Sequence, residues 1–325
     1  MAKNVRPIVQ VVSHGLNCLD GVVAAACVAH FSAGYRVIAQ FATNSDSDRA
    51  LQQLKPLGNG PNEIWITDLS WRSEATATHL NQLAAQGVRI YWVDHHRSAI
   101  VRADGAEFAV QFADKVLSEK FSAARLTYDY LRRERPDREV STIKGEEFFH
   151  IVELADDYDR WVNRFPEAHE WALAVQVLGS YESYRSITRL KRAALSPKLA
   201  AAAKAGRAAL QESLARARDS LVEHHLADGL TLLAACCIGY TSEVAYELYR
   251  DRSRTLVALL DLRTGGVSLR RSPDCPIDLS HLATSFGGGG HPAAAGFRLP
   301  LLTRLPAEQL ALTLSQKLSS STQIR

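Results

Sequence analysis

Residues 88–96, VRIYWVDHH, give the strongest indication of the fold class of this chain. A largely apolar run from Val88 to Val93 ends abruptly in an acid and two imidazoles, Asp94, His95 and His96. Such a run is typical of a buried strand in a parallel sheet, and ligands bind at the carboxyl edge of open α/β sheets. The stretch therefore predicts metal- or phosphate-binding side chains at the point where a strand leaves its sheet.

Strand-like and helix-like runs alternate through the first hundred residues. The strand-like runs are residues 8–13, 36–41, 64–67 and 88–93, and the helix-like runs are residues 20–31 and 73–85. This alternation predicts an α/β fold with a doubly wound parallel sheet and right-handed crossovers. Residues 122–133, 146–156 and 184–192 have helical patterns too.

Residues 196–225 are rich in Ala, Leu, Arg and Glu, which predicts one long helix. Its apolar positions fall mostly at three- and four-residue spacing: Leu199, Ala203, Leu210, Leu214, Ala217 and Leu221. This stripe has two interpretations, a connector helix packed on its neighbours or the seam of a homodimer. Strand-like runs resume after the helix. We therefore expect an N-terminal domain over 1–195, a linker helix over 196–228 and a smaller C-terminal α/β domain over 229–325.

The composition is that of an ordinary globular protein, with 46% hydrophobic and 22% charged residues. A formal net charge of +3 lacks the broad basic excess expected of a protein that binds long duplex nucleic acid. The five cysteines form no CxxC pair, which favours a reducing cytoplasm. Residues 1–12 do not read as a signal peptide, and no run reaches the ~18 apolar residues of a membrane span.

Candidate metal ligands follow three of the predicted strands. They are His14, Cys18 and Asp20 after the first strand, Asp68 after the third, and Asp94, His95 and His96 after the fourth. Adjacent parallel strands lie ~4.8 Å apart, so these side chains are expected to converge, and Asp157 in a later helical segment could close the cluster. Carboxylates with imidazoles suit Mn²⁺, Mg²⁺ or Fe²⁺ better than structural zinc, and paired divalent ions hydrolyse phosphoesters.

Two ordered motifs, Asp94-His95-His96 and Gly287-Gly288-Gly289-Gly290-His291, make the chain resemble the DHH phosphoesterase superfamily. It resembles the subgroup whose C-terminal domain carries a GGGH motif, and the resemblance spans nearly the whole chain. The family's first motif, His-x-x-x-Asp-x-Asp-Gly, is matched from His14 to Gly21, with Cys18 where the family has Asp. Asp68 matches the second motif, and Asp157 with Trp161 matches the fourth.

The resemblance implies two divalent cations, usually Mn²⁺. Asp68 would bridge them and His14 would bind the first. Asp20, His96 and Asp157 would bind the second, with Asp156 and Asp159 as rival candidates for the role of Asp157. Asp94 would orient a histidine and His95 would face the scissile phosphate. Cys18 has two interpretations, a ligand with a different metal preference or a residue that merely fits a tight loop.

The C-terminal motif indicates a substrate-binding element. Glycines let backbone amides approach phosphates closely, so Gly288, Gly289 and Gly290 with His291 are candidate substrate-binding residues. Arg270, at the end of a strand-like run, suits bidentate phosphate binding. The resemblance implies that substrates bind in a cleft between the two domains.

The resemblance implies a phosphodiesterase that acts on short oligoribonucleotides or linear dinucleotides and releases mononucleotides. Cyclic dinucleotides and 3′-phosphoadenosine 5′-phosphate are alternative substrates within the family. A single-strand DNA exonuclease like RecJ fits less well, because no added oligonucleotide-binding barrel is evident. A hypothesis of a different class is a nucleotide-binding sensor without catalysis.

Overall fold

The computed structural model describes residues 7–15, 17–58, 61–104, 109–140, 142–298 and 307–320. The sequence of residues 1–12 does not predict a signal peptide, and residues 1–6 of this segment lie outside the described ranges. The chain forms two compact units, Met1–Gly206 and Arg207–Arg325, and the division falls within the segment predicted as a linker. Within the described ranges, no helix combines the length and the apolar character needed to cross a bilayer.

A five-stranded parallel sheet forms the centre of the first unit, with the strand order β2-β1-β3-β4-β5. The strands are β1 (Ile8–His14), β2 (Arg36–Ala42), β3 (Asn62–Thr67), β4 (Arg89–Asp94) and β5 (Asp114–Leu117). The predicted parallel sheet is confirmed. Strand β5 was not predicted, because it is a four-residue edge strand that begins with the charged pair Asp114 and Lys115.

Helices cover both faces of this sheet. They are α1 (Leu19–His30), α2 (Ser47–Gln52), α3 (Glu74–Ala85), α4 (Arg97–Asp104), α5 (Ala123–Glu134), α6 (Gly145–Asp159), α7 (Pro166–Leu178), α8 (Ser180–Ile187) and α9 (Pro197–Asp219). Alternate strand residues enter different cores: Ile64 and Ile66 pack on one side of the sheet, whereas Trp65 packs on the other and stacks on Tyr91. Two buried faces confirm the doubly wound fold.

The long helix ends earlier than its composition predicts. Helix α9 stops at Asp219, and β6 (Val222–His225) follows as an edge strand that pairs antiparallel with the next strand. Residues 222–225 pair with residues 231–234 of that strand, so the prediction of helix there was wrong. Leu199 is buried in the first unit and Leu214 in the second, so the chain itself covers much of the apolar stripe. This burial favours the connector interpretation.

A six-stranded mixed sheet forms the second unit, in the order β10-β11-β9-β8-β7-β6. Its further elements are β7 (Thr231–Cys237), α10 (Thr241–Tyr249), β8 (Thr255–Asp261), β9 (Gly266–Arg271), α11 (Leu279–Thr284), β10 (Gly289–His291), β11 (Ala294–Arg298) and α12 (Ala307–Ser320). Only β7 and β8 pair in parallel among the described strands of this sheet. The glycine–histidine motif thus lies in a hairpin rather than in an open loop.

Candidate metal centre

Asp68 follows strand β3 and is the central acid of the site. Its φ of 55° lies in the left-handed region, which Asp tolerates better than most residues with a side chain. Its backbone N–H donates to the carbonyl oxygen of Val93 at 2.9 Å, which ties it to strand β4. The side chain is only 2% exposed. The fold therefore fixes this carboxylate at the carboxyl edge of the sheet.

His14 and Cys18 face one oxygen of Asp68. The Oδ2 atom of Asp68 lies 3.5 Å from His14 Nδ1 and 3.5 Å from Cys18 Sγ. The backbone here is closely packed, because a Cβ at Gly21 would lie 2.3 Å from the carbonyl oxygen of His14. Only glycine fits there. One potential ligand atom from each of His14, Cys18 and Asp68 lies within 4.8 Å of the others, and we name these three residues the first donor group.

His95 faces the other oxygen of Asp68 and two further acids. Its Nε2 atom lies 3.4 Å from Asp68 Oδ1, 3.8 Å from Asp20 Oδ2 and 3.5 Å from Asp159 Oδ2. The His95 side chain is 17% exposed. Asp20, Asp68, His95 and Asp159 form the second donor group, which shares Asp68 with the first.

His96 contacts Asp94 and Asp68 and is more exposed than His95. Its side chain is 47% exposed, and its Nδ1 atom lies 2.8 Å from Asp94 Oδ1 and 3.7 Å from Asp68 Oδ1. Asp94 Oδ1 also accepts hydrogen bonds from the backbone amides of His95 (2.7 Å) and His96 (3.0 Å). The expected orienting role of Asp94 agrees with these contacts. One potential ligand atom from each of Asp68, His95 and His96 lies within 4.8 Å of the others, and of the two histidines it is His95 that also contacts Asp20 and Asp159.

Asp157 does not join the cluster. Its Oδ1 atom accepts a hydrogen bond from the amide of Arg164 at 2.9 Å, and its Oδ2 atom accepts one from Phe165 at 3.2 Å. Asp156 is engaged elsewhere as well, because it accepts from the amide of Ser122 at 2.7 Å. The acid that reaches the site from α6 is Asp159, which the sequence offered only as a rival candidate.

Asp20 serves the fold and the cluster together. Its two oxygens accept hydrogen bonds from the amides of Ala123 and Ala124, each at 2.8 Å, at the start of α5. A carboxylate there is stabilised by the unpaired amides and the dipole of the helix. Carboxylate oxygens have two lone pairs each, so these bonds leave Asp20 able to bind a cation. The helix contact was not predicted, because residues 20 and 123 lie far apart in the chain.

The carboxylates of the second donor group oppose one another. Burial and the charges of Asp68 and Asp159 raise the pKa of Asp20 well above its ordinary value. Burial and the charge of Asp68 also raise the pKa of Asp159. Burial acts in the same direction on Asp68, but His14 and His95 outweigh it and hold the pKa of Asp68 well below its usual range. Asp68 is therefore the acid of the cluster whose ionised form is most strongly favoured.

The imidazoles compensate for this negative charge. Burial disfavours the charged form of His95, but contact with Asp68 and the charges of Asp20 and Asp159 raise its pKa to about 10. For His96, Asp94 and Asp68 overcome burial in the same way and raise the pKa to about 9. Burial and the neighbouring carboxylates raise the pKa of the Cys18 thiol well above its ordinary value. These shifts share one cause, the concentration of buried carboxylates, whose negative charge a cation would offset.

Two unsatisfied atoms show that the cluster fits divalent cations. Asp68 Oδ1 and His95 Nε2 are buried, and neither has a hydrogen-bond partner among the described residues. Buried polar atoms are nearly always paired, so an orphaned pair 3.4 Å apart points to a missing ligand. Carboxylate oxygens and imidazole nitrogens are donors that divalent transition-metal ions accept. The donor groups therefore suit divalent metal ions.

The glycines of the second unit have separate structural duties. A Cβ at Gly288 would lie 2.2 Å from the carbonyl oxygen of Gly296, and a Cβ at Gly290 would lie 2.6 Å from that of Ala294. Gly289 has open space around its missing side chain. His291 is exposed, and its Nδ1 atom accepts a hydrogen bond from the amide of Ala293 at 3.2 Å.

Arg270 and Arg271 lie in different surroundings. Arg271 donates to the carbonyl oxygens of Pro292 and Cys275, so it braces the loop after β9. Arg270 donates to the hydroxyl groups of Ser242 at 2.8 Å and Ser268 at 3.0 Å. It lines a groove of about 380 Å³ within this unit. The lining includes Thr241, Ser268, Gly289 and Gly296. The neighbouring Thr241 and Ser242 were not singled out in the sequence, since lone hydroxyl residues carry no motif.

Comparisons with known proteins agree with this fold. No protein-family model matches the chain. Oligoribonuclease NrnB of Bacillus subtilis (strain 168) is 26% identical over 256 residues, which cover 73% of this chain and 59% of the relative. The chain thus spans less than two thirds of the length of this curated relative.

Solved structures share the fold at low sequence identity. The DHH domain of a member of the s1p family of ribosomal proteins has a TM-score of 0.66 at 16% identity, covering 97% of this chain and 86% of that one. RecJ of Thermus thermophilus in complex with Mn²⁺ has a TM-score of 0.57 at 14% identity, covering 95% of this chain and 51% of RecJ. The pGpG-specific phosphodiesterase PggH of Vibrio cholerae has a TM-score of 0.56 at 12% identity, covering 96% of this chain and 98% of PggH. The chain therefore shares its fold with these DHH-domain structures, and its ordered motifs from His14 to His291 agree with the resemblance to the DHH phosphoesterase superfamily.

Proposed function

We propose that this protein is a metal-dependent phosphodiesterase that hydrolyses short oligoribonucleotides or linear dinucleotides to mononucleotides. The observation that carries the proposal is the position of Asp68, whose two oxygens face different donor groups. A carboxylate shared between two cation positions is the arrangement used for phosphoester hydrolysis. NrnB is by name an oligoribonuclease and PggH a pGpG-specific phosphodiesterase, which supports this substrate class.

We propose that the cluster holds two divalent cations. His14, Cys18 and Asp68 would hold one. Asp20, Asp68 and Asp159, which all contact His95, would hold the other together with that histidine. The second donor group contains only carboxylates and one imidazole, a set that suits Mn²⁺. RecJ with bound Mn²⁺ supports the choice of ion. When bound, such a cation pair supplies hydroxide near neutral pH and offsets the negative charge of the phosphate.

The side chains beside the donor groups would orient the substrate. His96 is partly exposed, and Asp94 fixes its Nδ1 side. Asp94 also favours the charged imidazolium, so His96 would donate a hydrogen bond from Nε2 to a phosphate oxygen. His95 would be a metal ligand instead, because three carboxylates surround its Nε2 atom. These assignments reverse the roles that the sequence resemblance implied for the two histidines.

The second unit would bind the nucleotide. Arg270 offers a guanidinium beside the groove, and two serine hydroxyl groups hold it in place. Gly289 lines the same groove without a side chain, so a phosphate or ribose could approach its backbone. A volume of about 380 Å³ is within the range of ligand pockets and suits a single nucleotide better than a long strand.

We place the enzyme in the reducing cytoplasm, since its five cysteines are free.

The test is a substrate panel with Mn²⁺ and product separation. It contains RNA oligomers of two to seven nucleotides, a cyclic dinucleotide, and 3′-phosphoadenosine 5′-phosphate. We expect mononucleotide release from the linear substrates. Asp68→Asn should lower kcat/KM by about 10³-fold or more, because several kcal/mol of charge stabilisation depend on this carboxylate.

Asp129→Asn is the matched control. Asp129 pairs with Arg125 on the exposed side of α5, so this variant removes an acid outside the cluster and should keep full activity. Circular dichroism should show both variants folded. If the protein binds a dinucleotide but hydrolyses it with none of Mn²⁺, Mg²⁺, Co²⁺ and Zn²⁺, the result would instead support the sensor hypothesis. Faster hydrolysis of the cyclic or bisphosphorylated compound would change the substrate class.

A further inference from the structure

Cys18 gives the two cation positions unlike donor atoms. The first donor group offers an imidazole nitrogen, a sulfur and a carboxylate oxygen, whereas the second offers three carboxylates and one imidazole. The sulfur faces Asp68 Oδ2 at 3.5 Å, on the same oxygen as His14 Nδ1. The other oxygen of this buried aspartate lacks a hydrogen-bond partner within the described residues. The orphaned oxygen lies on the His95 side of Asp68, so the carboxylate that both donor groups share is not fully paired.

The local backbone holds the sulfur in place. Cys18 is the N-cap of α1, and its Sγ atom accepts a hydrogen bond from the amide of Gly21 at 3.5 Å. The N–H donor and the helix N-terminus favour negative charge on sulfur. Burial and the neighbouring carboxylates outweigh them and raise the pKa of the thiol, so a thiolate would form here together with a bound cation. Gly21 packs against the carbonyl group of His14, so the loop that carries Cys18 is fixed against the strand that carries His14. The first donor group is therefore a built arrangement with a preset sulfur.

We infer that the first donor group selects a thiophilic divalent ion, Zn²⁺, through a Cys18 thiolate, and that the two cation positions differ in metal preference. This inference rests on the proposed function for its catalytic meaning. Thiolate ligands favour Zn²⁺, whereas carboxylate and imidazole sets accept Mn²⁺ and Mg²⁺. As the Zn–S bond forms, the thiol releases its proton to solvent.

Accessibility separates Cys18 from the other thiols of the chain. Cys27, Cys236, Cys237 and Cys275 are buried, whereas Cys18 is partly exposed. These four cysteines therefore act as small apolar side chains in the protein interior. If Cys18 served only as the N-cap of α1, a serine at this position would accept the same hydrogen bond, and the metal preference of the protein would not change. If Cys18 binds the ion, Ser and Asp should each change that preference.

The experiment uses Co²⁺ as a spectroscopic probe of the full chain. Protein freed of metal with a chelator is titrated with Co²⁺ while near-ultraviolet absorption is recorded. We expect a sulfur-to-cobalt charge-transfer band that Zn²⁺ abolishes and Mg²⁺ does not. The band should be absent in Cys18→Ser and Cys18→Asp and should remain in the control Cys236→Ala. Calorimetry should show Zn²⁺ affinity reduced by about 10–100-fold in Cys18→Asp, with Mn²⁺ affinity retained.

Each outcome decides the inference. Cobalt binding without the band in the unaltered protein shows that sulfur is not a ligand, and a band that persists in Cys18→Ser assigns it to another thiol. Either result overturns the inference. Circular dichroism checks that both Cys18 variants fold, and protection of Cys18 from iodoacetamide by Zn²⁺ gives a second readout in the unaltered chain. The band is recorded without substrate, so a band with no hydrolysis would overturn only the proposed function, whereas hydrolysis with no band would overturn only this inference. Failure to bind Co²⁺ would overturn both.

Discussion

Asp157 and Asp159 lie two residues apart at the end of α6, and only Asp159 reaches His95. The Oδ2 atom of Asp159 lies 3.5 Å from His95 Nε2, whereas the oxygens of Asp157 accept backbone hydrogen bonds from Arg164 and Phe165. Residues i and i+2 of a helix point to different sides. One acid therefore lies in the candidate metal centre, and the other stabilises the loop that leads into α7.

The paired variants Asp159→Asn and Asp157→Ala should separate these roles. Asp159→Asn removes a charged ligand, so we expect Mn²⁺ affinity to fall by about 10–100-fold with little loss of stability. Asp157→Ala leaves two amides unpaired, so we expect the free energy of unfolding to fall by about 1–3 kcal/mol with Mn²⁺ affinity retained. Calorimetry measures the affinity and urea unfolding measures the stability. If Asp157→Ala lowers Mn²⁺ affinity and Asp159→Asn does not, Asp157 is the metal ligand.

Asp94→Ala should weaken the site without removing a ligand. Asp94 Oδ1 accepts from the amides of His95 and His96 and from the His96 ring, so its loss releases both histidines. We expect hydrolysis to fall by about 10–100-fold, as for other residues that orient metal-site histidines. Asp94→Asn keeps an acceptor oxygen and should lose less. If Asn proves as damaging as Ala, the charge of Asp94 matters more than its geometry.

Neighbouring glycines in the second unit should respond differently to Ala. Gly288→Ala would place a Cβ 2.5 Å from Phe297 Cβ, so we expect a loss of about 1–3 kcal/mol in stability. Gly289→Ala meets nothing within 4 Å and should fold normally, but it adds a methyl group to the groove. We therefore expect a higher KM with stability unchanged. Urea unfolding and initial rates check this pair, and equal destabilisation of both variants would contradict the hairpin packing.

His30 should make the stability of the first unit depend on pH. Its ring stacks on Phe148 at 4.0 Å, and burial lowers its pKa despite the hydrogen bond to Glu139. The unfolded chain takes up a proton as the pH falls through about 6.5, whereas the folded protein resists protonation. The free energy of unfolding should therefore decrease from pH 7.5 towards pH 5.5.

The variant His30→Phe tests this pH dependence. Phe can keep the stacking contact with Phe148 but cannot titrate. We expect the stability of the variant to change less than that of the original protein over the same pH range. Urea unfolding at several pH values provides the comparison. Identical slopes for the two proteins would show that His30 is not the group responsible.

Local sequence patterns were sufficient to predict the parallel sheet and the order of its motifs. Apolar runs of strand length that end in polar residues are local features, and parallel strands bring their carboxyl ends to one edge. The proximity of His14, Asp68 and His95 could therefore be predicted from the amino-acid sequence alone. The departure at Cys18 was also visible, because a single position in the motif carries a different donor atom.

Long-range packing, in contrast, selects which of the candidate side chains meet. Which acid of α6 reaches His95 depends on how this helix packs against α1 and α5, and the direction of the His96 ring depends on its hydrogen bond to Asp94. The packing duty of Gly288 depends on its partner strand β11. Side-chain direction is set by contacts between residues far apart in the chain, and no local pattern contains those contacts.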